Sequence, residues 1–282
     1  MDTYLAVAEQ TSQAVTQRYS TSFSLACKLF PRVMRTHIYN IYGLVRVADE
    51  IVDTYRGPDQ LKQLDDLEAQ VYRAKESEFS TNFIVHAFIR TANMHKIGPE
   101  LIRPFFASMR QDITKNTYTG TQLGAYVYGS AEVVGLMCLR VFTAGNTEMY
   151  EKLKPGAQAL GAAFQKVNFL RDIASDHDDL GRVYFPGINW DTFDETAKIT
   201  LASEIRADFS RAKPAIAQLP DSARPAVMAA YQYYLELLIR IEHTSAVELK
   251  NRRLKLPNRR KLTILGLALV KRHVALRVPR FQ

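Results

Sequence analysis

Two aspartate pairs with the same four-residue step stand out in this chain, Asp49/Asp53 and Asp172/Asp176. On an α-helix a step of four puts both carboxylates on one face, about 6 Å apart along the axis. Carboxylates so placed repel each other and resist burial unless cations compensate them. Hard oxygen ligands that face each other suit Mg²⁺, and Mg²⁺ held by carboxylates usually shares its coordination shell with a phosphate. The chemistry these residues point to is diphosphate binding inside a helical protein. Roughly three acidic pairs at this step are expected by chance in a chain of this acid content, and most such pairs lie on solvated faces. These two differ from that background in their apolar surroundings and in the polar residue one turn earlier.

The first segment, Ile38 to Asp53, carries Tyr42, Arg46, Asp49 and Asp53 at steps of four, three and four, which is one stripe on a helix. The second, Phe164 to Asp176, carries Gln165, Asn168, Asp172 and Asp176 at steps of three, four and four. Val45, Val47, Ile51 and Val52 clothe the first helix; Phe164, Val167, Phe169 and Leu170 clothe the second. A helix apolar on most sides is buried, so each polar stripe must line a cavity or bind something.

The elements that position these stripes are helices throughout. Apolar residues recur at three and four, and strand-like alternation is scarce. The periodicity predicts helices over 3–18, 21–29, 33–54, 58–77, 81–94, 98–116, 121–144, 147–178, 194–212, 221–248 and 259–276, with the clearest long loop from His177 to Asn189. Most prolines fall at boundaries, and Pro104 and Pro155 are placed near helix starts. No solenoid repeat or low-complexity linker appears, so one all-helical domain over 1–282 is the simplest organisation.

Composition is that of a globular protein able to bury a sizeable core: 282 residues, 47% hydrophobic and 23% charged. Cys27 and Cys138 sit in apolar stretches and read as buried thiols in a reducing compartment. The start of the chain shows no secretory pattern, and no run reaches the roughly 18 apolar residues of a spanning helix. A cytoplasmic protein is expected, or one peripheral at the inner face of the membrane. The net charge of +8 is uneven, with eleven Lys/Arg and no acid from Lys250 to Gln282. That segment reads as a solvated basic face, as a surface for anionic phospholipid heads, or as a phosphate grip at one side of a cavity. Nucleic acid is the weakest partner, since no recognised motif accompanies the charge.

The residues also carry a family resemblance. Arg46-Val47-Ala48-Asp49-Glu50-Ile51-Val52-Asp53 resembles the first aspartate-rich motif of the squalene/phytoene synthases. Asn168-Phe169-Leu170-Arg171-Asp172-Ile173-Ala174-Ser175-Asp176, with Gly181-Arg182-Val183-Tyr184-Phe185-Pro186 after it, resembles the second motif and its trailing loop. Tyr19-Ser20-Thr21-Ser22-Phe23-Ser24, Met109-Arg110-Gln111-Asp112 with Tyr118, and Tyr128 with Val134-Gly135-Leu136-Met137 match further, in the family's order over nearly the whole chain. The likeness is to the bacterial phytoene synthases that make carotenoid precursors.

The resemblance implies an all-α isoprenoid-synthase bundle whose two motifs face each other across a central cavity. It implies Mg²⁺, with Mn²⁺ as an alternative ion, bridging Asp49, Asp53, Asp172 and Asp176 to prenyl diphosphates, with Asn168 as a further oxygen ligand. It implies head-to-head condensation of two geranylgeranyl diphosphates through a cyclopropylcarbinyl diphosphate, ending in proton loss, so that no nicotinamide is consumed. Arg46, Arg171, Arg182 and Arg253 are the candidates to grip phosphate oxygens, Arg171 least so because it points about 100° away from its neighbour Asp172. Ser22, Phe23, Tyr42, Tyr128, Gln165 and Asn168 are placed at the substrate, the aromatic faces to steady cationic intermediates. Val133, Val134 and Met137 would line the tunnel for the prenyl tail or simply pack. A downstream carotenoid desaturase is the implied pathway partner.

Two features depart from the family pattern. Glu132 stands where a small residue is usual, and the loop His177-Asp178-Asp179-Leu180 is acidic and slightly long. Neither removes a motif carboxylate. A squalene or dehydrosqualene synthase acting on farnesyl diphosphate, with or without NADPH, remains open, because chain length depends on tunnel depth. No dinucleotide fingerprint is visible, which separates these poorly. A non-catalytic assembly factor of the same fold would be expected to lose motif aspartates, and this chain keeps all four.

Overall fold

A computed structural model describes residues 3–115, 117–182, 184–188, 190–257, 259–264 and 266–268. The described residues form helices, with no β-strand among them. In order these are α1 (Thr3–Tyr19), α2 (Thr21–Cys27), α3 (Arg32–Asp49), α4 (Gln60–Ser77), α5 (Phe83–Met94), α6 (Pro99–Thr114), α7 (Gly120–Val127), α8 (Val133–Phe142), α9 (Thr147–Arg171), α10 (Ile173–Leu180), α11 (Glu195–Ala217), α12 (Arg224–Glu242) and α13 (Ala246–Leu249). Two five-residue π-helical turns, Glu50–Thr54 after α3 and Tyr128–Glu132 between α7 and α8, interrupt the regular winding. Helix resumes over 259–264 and 266–268; the rest of the helix predicted to 276 lies outside the described residues.

Local signals account for the helix starts. Ser20, Asn82, Asn146, Asp194 and Ser245 each accept a backbone N–H of the first turn, satisfying donors that the helix itself leaves unpaired. Thr119 and Gln122 complete a reciprocal capping box on α7. Tertiary packing then overrides the prolines: Pro104 and Pro155 lie inside α6 and α9, beyond the first turn, and Pro214 lies inside α11.

α9 is the central element, packed against α8, α11, α12 and the second π-turn. Its approach to that turn is close enough to require a glycine. A β-carbon at Gly161 would stand 2.9 Å from the Ala131 carbonyl oxygen and 3.0 Å from the Glu132 Cα. One cluster of buried residues, running from Cys27 to Ala268, joins the helices. Neither cysteine is in a disulfide; Cys27 is buried and Cys138 half-buried.

Three element predictions need correction. The helix expected over 147–178 breaks at Asp172, whose φ of −103° and ψ of 8° lie outside the helical region, and continues as α10 to Leu180. The loop expected from His177 therefore begins only at Gly181. The helix expected over 221–248 divides at His243 into α12 and α13. The helix expected over 121–144 is present as the continuous run Gly120–Phe142, long and apolar enough to cross a membrane by length and composition, with half of its most apolar stretch buried in the protein.

Candidate active site

α3 buries Ile38, Ile41, Leu44 and Ala48 and leaves Tyr42, Arg46 and Asp49 half-buried on another side. This is the stripe that the spacing predicts. The π-turn then shifts Asp53 off the regular helical line and into an exposed position. Gln60 holds the turn: its Nε2 donates to the carbonyls of Ile51, Val52 and Tyr55 at 2.8, 3.2 and 2.8 Å. Burial, with Asp53 beside it, raises the Asp49 carboxyl to about 7 despite Arg46. The Arg46 guanidinium pairs with Glu50, lies 3.9 Å from Asp49 and stacks over the Tyr19 ring, while its Nε is buried without a partner.

The second wall is the end of α9 and the whole of α10. Asp172 sits at the kink between them, and both its oxygens are held by arginines: Arg171 at 2.8 and 2.6 Å, Arg253 at 2.7 and 3.1 Å. Arg171 thus folds back on the aspartate it was expected to point away from. One turn earlier, the Asn168 Oδ1 is buried with no hydrogen-bond partner. Burial raises Asp176 to about 7, and Asp172 and Asp53 push it the same way. The two motifs meet through Arg182, which follows the second and donates to Asp53 of the first.

Arg182 joins them. Gly181 ends α10 at a φ of +62°, a conformation open to glycine, and turns the chain inward. The buried Arg182 then donates from Nη1 to Asp53 Oδ1 at 3.0 Å and from Nη2 to the Asp112 carbonyl at 2.6 Å. Its Nη1 also lies 3.5 Å from the Asp112 carboxylate, which accepts from the Tyr126 hydroxyl at 2.8 Å. Tyr184 stacks on Phe169 with ring centroids 4.0 Å apart and seals this side.

On the other side of Asp172 opens a cavity of about 490 Å³ lined by Ser22, Phe23, Arg171, Tyr233, Tyr234, Arg253, Lys255 and Lys261, among others. Four cations line this one cavity, two of them paired with Asp172, and together they would attract an anion. Phe23 stacks on Tyr42 at 5.0 Å, so the cavity's aromatic wall continues to the first stripe. Burial pushes the Tyr42 hydroxyl up to about 12, which keeps it neutral. Gln165 and Tyr128 are half-buried on α9 and at the start of the second π-turn. Val133 and Met137 are fully packed, and Val134 packs partly.

Glu132 lines a different groove, of about 710 Å³ between α7, α9 and α11, where its carboxylate accepts from Gln158 at 2.9 Å. His177 stacks on Trp190 at 4.0 Å and pairs with the exposed Asp178.

The structure therefore gathers Asp49, Asp53, Asp176 and Arg182 on one side, and Asp172, Arg171, Arg253, Ser22 and Phe23 on the other. Asp112, Tyr126 and Tyr234 had no assigned role in the sequence. Asp112 lay within a matched motif, but only its distance to Arg182, 70 residues away, marks it. Among the described residues no three acidic, histidine or cysteine side chains stand close enough to hold one ion by themselves. Carboxylates with an unpartnered Asn168 oxygen suit Mg²⁺ that shares its shell with diphosphate oxygens.

Comparison with known proteins shows the family. Residues 16–260 match the squalene/phytoene synthase family. The phytoene synthase of Arthrospira platensis is 29% identical over 92% of both chains. The 15-cis-phytoene synthase of Synechococcus elongatus is 28% identical, covering 95% of this chain and 94% of its own. A crystal structure of a dehydrosqualene synthase in complex with ligand superposes with a TM-score of 0.76 at 23% identity, over 96% of this chain and 98% of its own, which shows the shared all-α fold. The chain belongs to the squalene/phytoene synthase family and is a prenyltransferase.

Proposed function

We propose that this single-domain protein is a phytoene synthase, which condenses two geranylgeranyl diphosphates head to head through prephytoene diphosphate. The observation that carries the reading is the meeting of both aspartate motifs beside a four-cation cavity, with Arg182 Nη1 3.0 Å from Asp53. The choice of the longer prenyl chain rests on the names of the two relatives similar over nearly the full length.

Asp49, Asp53, Asp172, Asp176 and Asn168 would hold Mg²⁺ with the diphosphate. Bound Mg²⁺ supplies positive charge against the negative charge that develops as diphosphate leaves. Arg171 and Arg253 line the cavity with their forks on Asp172, and either would grip phosphate oxygens on leaving it. Phe23 and Tyr42 present stacked aromatic faces that steady carbocations without offering a charged nucleophile, since Tyr42 stays protonated.

The test is a product assay. Purified protein with Mg²⁺ and geranylgeranyl diphosphate should yield a C40 hydrocarbon without NADPH. Exclusive use of farnesyl diphosphate would overturn the phytoene reading in favour of squalene or dehydrosqualene synthesis. Asp49→Asn and Asp172→Asn should each lower turnover by about a thousandfold or more while the helical circular dichroism persists.

A further inference from the structure

Arg182 was expected to grip substrate phosphate, and its surroundings argue for another task. The side chain is 5% exposed. Both terminal nitrogens are committed to protein oxygens: Nη1 to Asp53 at 3.0 Å and Tyr184 at 3.4 Å, Nη2 to the carbonyls of Asp112 at 2.6 Å and Val52 at 3.5 Å. Turning toward a ligand would leave those buried acceptors unpaired. Behind it, on α6, the Asp112 side chain is 4% exposed. Its two oxygens accept from the Tyr126 hydroxyl at 2.8 and 3.0 Å and face Arg182 Nη1 at 3.5 Å. The order is therefore Tyr126, Asp112, Arg182, Asp53, running from a buried hydroxyl on α7 to an exposed carboxylate on the π-turn.

We propose that Asp112 is a positioning residue that acts through Arg182 to orient Asp53 and to keep it available for a divalent cation. Two effects follow from the geometry. First, Asp112 anchors the guanidinium, which fixes the rotamer of an aspartate otherwise free on an exposed turn; such outer partners normally contribute 10- to 100-fold in metal affinity. Second, Asp112 shares the guanidinium's charge. With Asp112 neutral, that charge falls on Asp53 alone and competes with the incoming cation. Tyr126 in turn holds the Asp112 carboxylate to one orientation. The inference rests on the reading of Asp53 as a ligand of a metal–diphosphate complex.

The test measures Mn²⁺ bound to the full-length protein by equilibrium dialysis, with inorganic diphosphate on both sides of the membrane. Asp112→Asn should weaken Mn²⁺ binding by about tenfold or more. Arg182→Gln loses the anchor but also the competing charge, so it should weaken binding less than Asp112→Asn, and the double variant should match Arg182→Gln, because Asp112 acts only through the guanidinium. Thermal melts on the same samples separate loss of the fold from loss of the ion. Should Asp112→Asn not fold, Tyr126→Phe decides: it preserves the ring packing and should weaken binding about threefold or more. Mn²⁺ affinity within twofold of wild type in the folded Asp112→Asn protein, losses that multiply in the double variant, or an unaltered Tyr126→Phe would each overturn the proposal and leave the aspartate site intact. Wild-type protein that binds no Mn²⁺ in the presence of diphosphate would overturn both.

Discussion

Arg253 grips Asp172 from 81 residues away, with Nε 2.7 Å from one carboxylate oxygen and Nη2 3.1 Å from the other. Arg171 holds the same two oxygens at 2.8 and 2.6 Å. A cation can reach Asp172 only when an arginine leaves it, and a diphosphate in the adjoining cavity is the partner that would draw one away. Arg253 is the more exposed of the two, with half of its side chain open to solvent against 16% for Arg171, so it is the one that can leave with less loss of packing. Arg253→Gln should therefore raise KM for the prenyl diphosphate by about tenfold or more, a change of about 1.4 kcal/mol or more. The same variant should bind Mn²⁺ more tightly than wild type when diphosphate is withheld. Steady-state kinetics and dialysis check the two halves; unchanged values in both would show that the pair is only structural.

Stability should depend on pH in opposite senses at the two ends of the range. Burial holds Asp49, Asp112 and Asp176 up at about 7, against about 4 for an ordinary aspartate. The folded protein keeps these protons longer than the unfolded chain does, so stability falls as pH rises from about 4 to about 7 and levels off above. His37 works the other way: burial and the nearby His95 push it down to about 4, so folding loses stability as pH drops below about 6.5. Between about pH 6.5 and 7.5 only the carboxylates act. In that window metal-free protein should melt lower as pH rises, and Asp49→Asn should flatten the slope. Parallel melting curves for the two proteins would refute this account.

Lys198 offers a stability test remote from the chemistry. The side chain is 1% exposed, donates to the carbonyls of Glu242 and Thr244 at 3.2 and 2.6 Å, and pairs with Glu195 at 2.5 Å. It ties the start of α11 to the end of α12. Lys198→Met fills the space but leaves two carbonyls short of a donor, at a cost of about 2–4 kcal/mol. Denaturant unfolding should show that loss, while kcat of the folded enzyme stays within about twofold of wild type.

The basic segment after Lys250 makes a separate prediction. Arg252, Arg253, Lys255, Arg259 and Arg260 are exposed, and clustered cations are drawn to anionic lipid heads. Vesicle co-sedimentation should rise with the fraction of anionic phospholipid and fall as salt increases from about 50 to 500 mM. Binding indifferent to both would leave this face as solvated charge.

Much of the site is legible in the residues because it is periodic. A step of four on an apolar helix declares a shared face, and both aspartate stripes carry that step. What the step does not declare is where the helix stops being regular. The π-turn after Asp49 exposes Asp53, and the kink at Asp172 turns the second pair across a joint between two helices. The π-turn is held by Gln60 reaching back to three carbonyls, and the kink leaves Asp172 clasped by Arg171 and Arg253, partners that the spacing does not show. Likewise the roles expected for the arginines rested on charge alone. Their partners come from distant parts of the chain, so Arg182 is found bracing Asp53 from inside the protein while Arg171 and Arg253 clasp Asp172.

The helical class, the two carboxylate stripes and the family are legible in the chain because each is written in local spacing and neighbouring residues. Which carboxylate meets which cation is a property of the fold. Asp53 with Arg182 and Asp172 with Arg253 are 129 and 81 residues apart. No periodicity reaches that far; those distances are set by how α3, α6, α9 and α12 bury their apolar faces against one another.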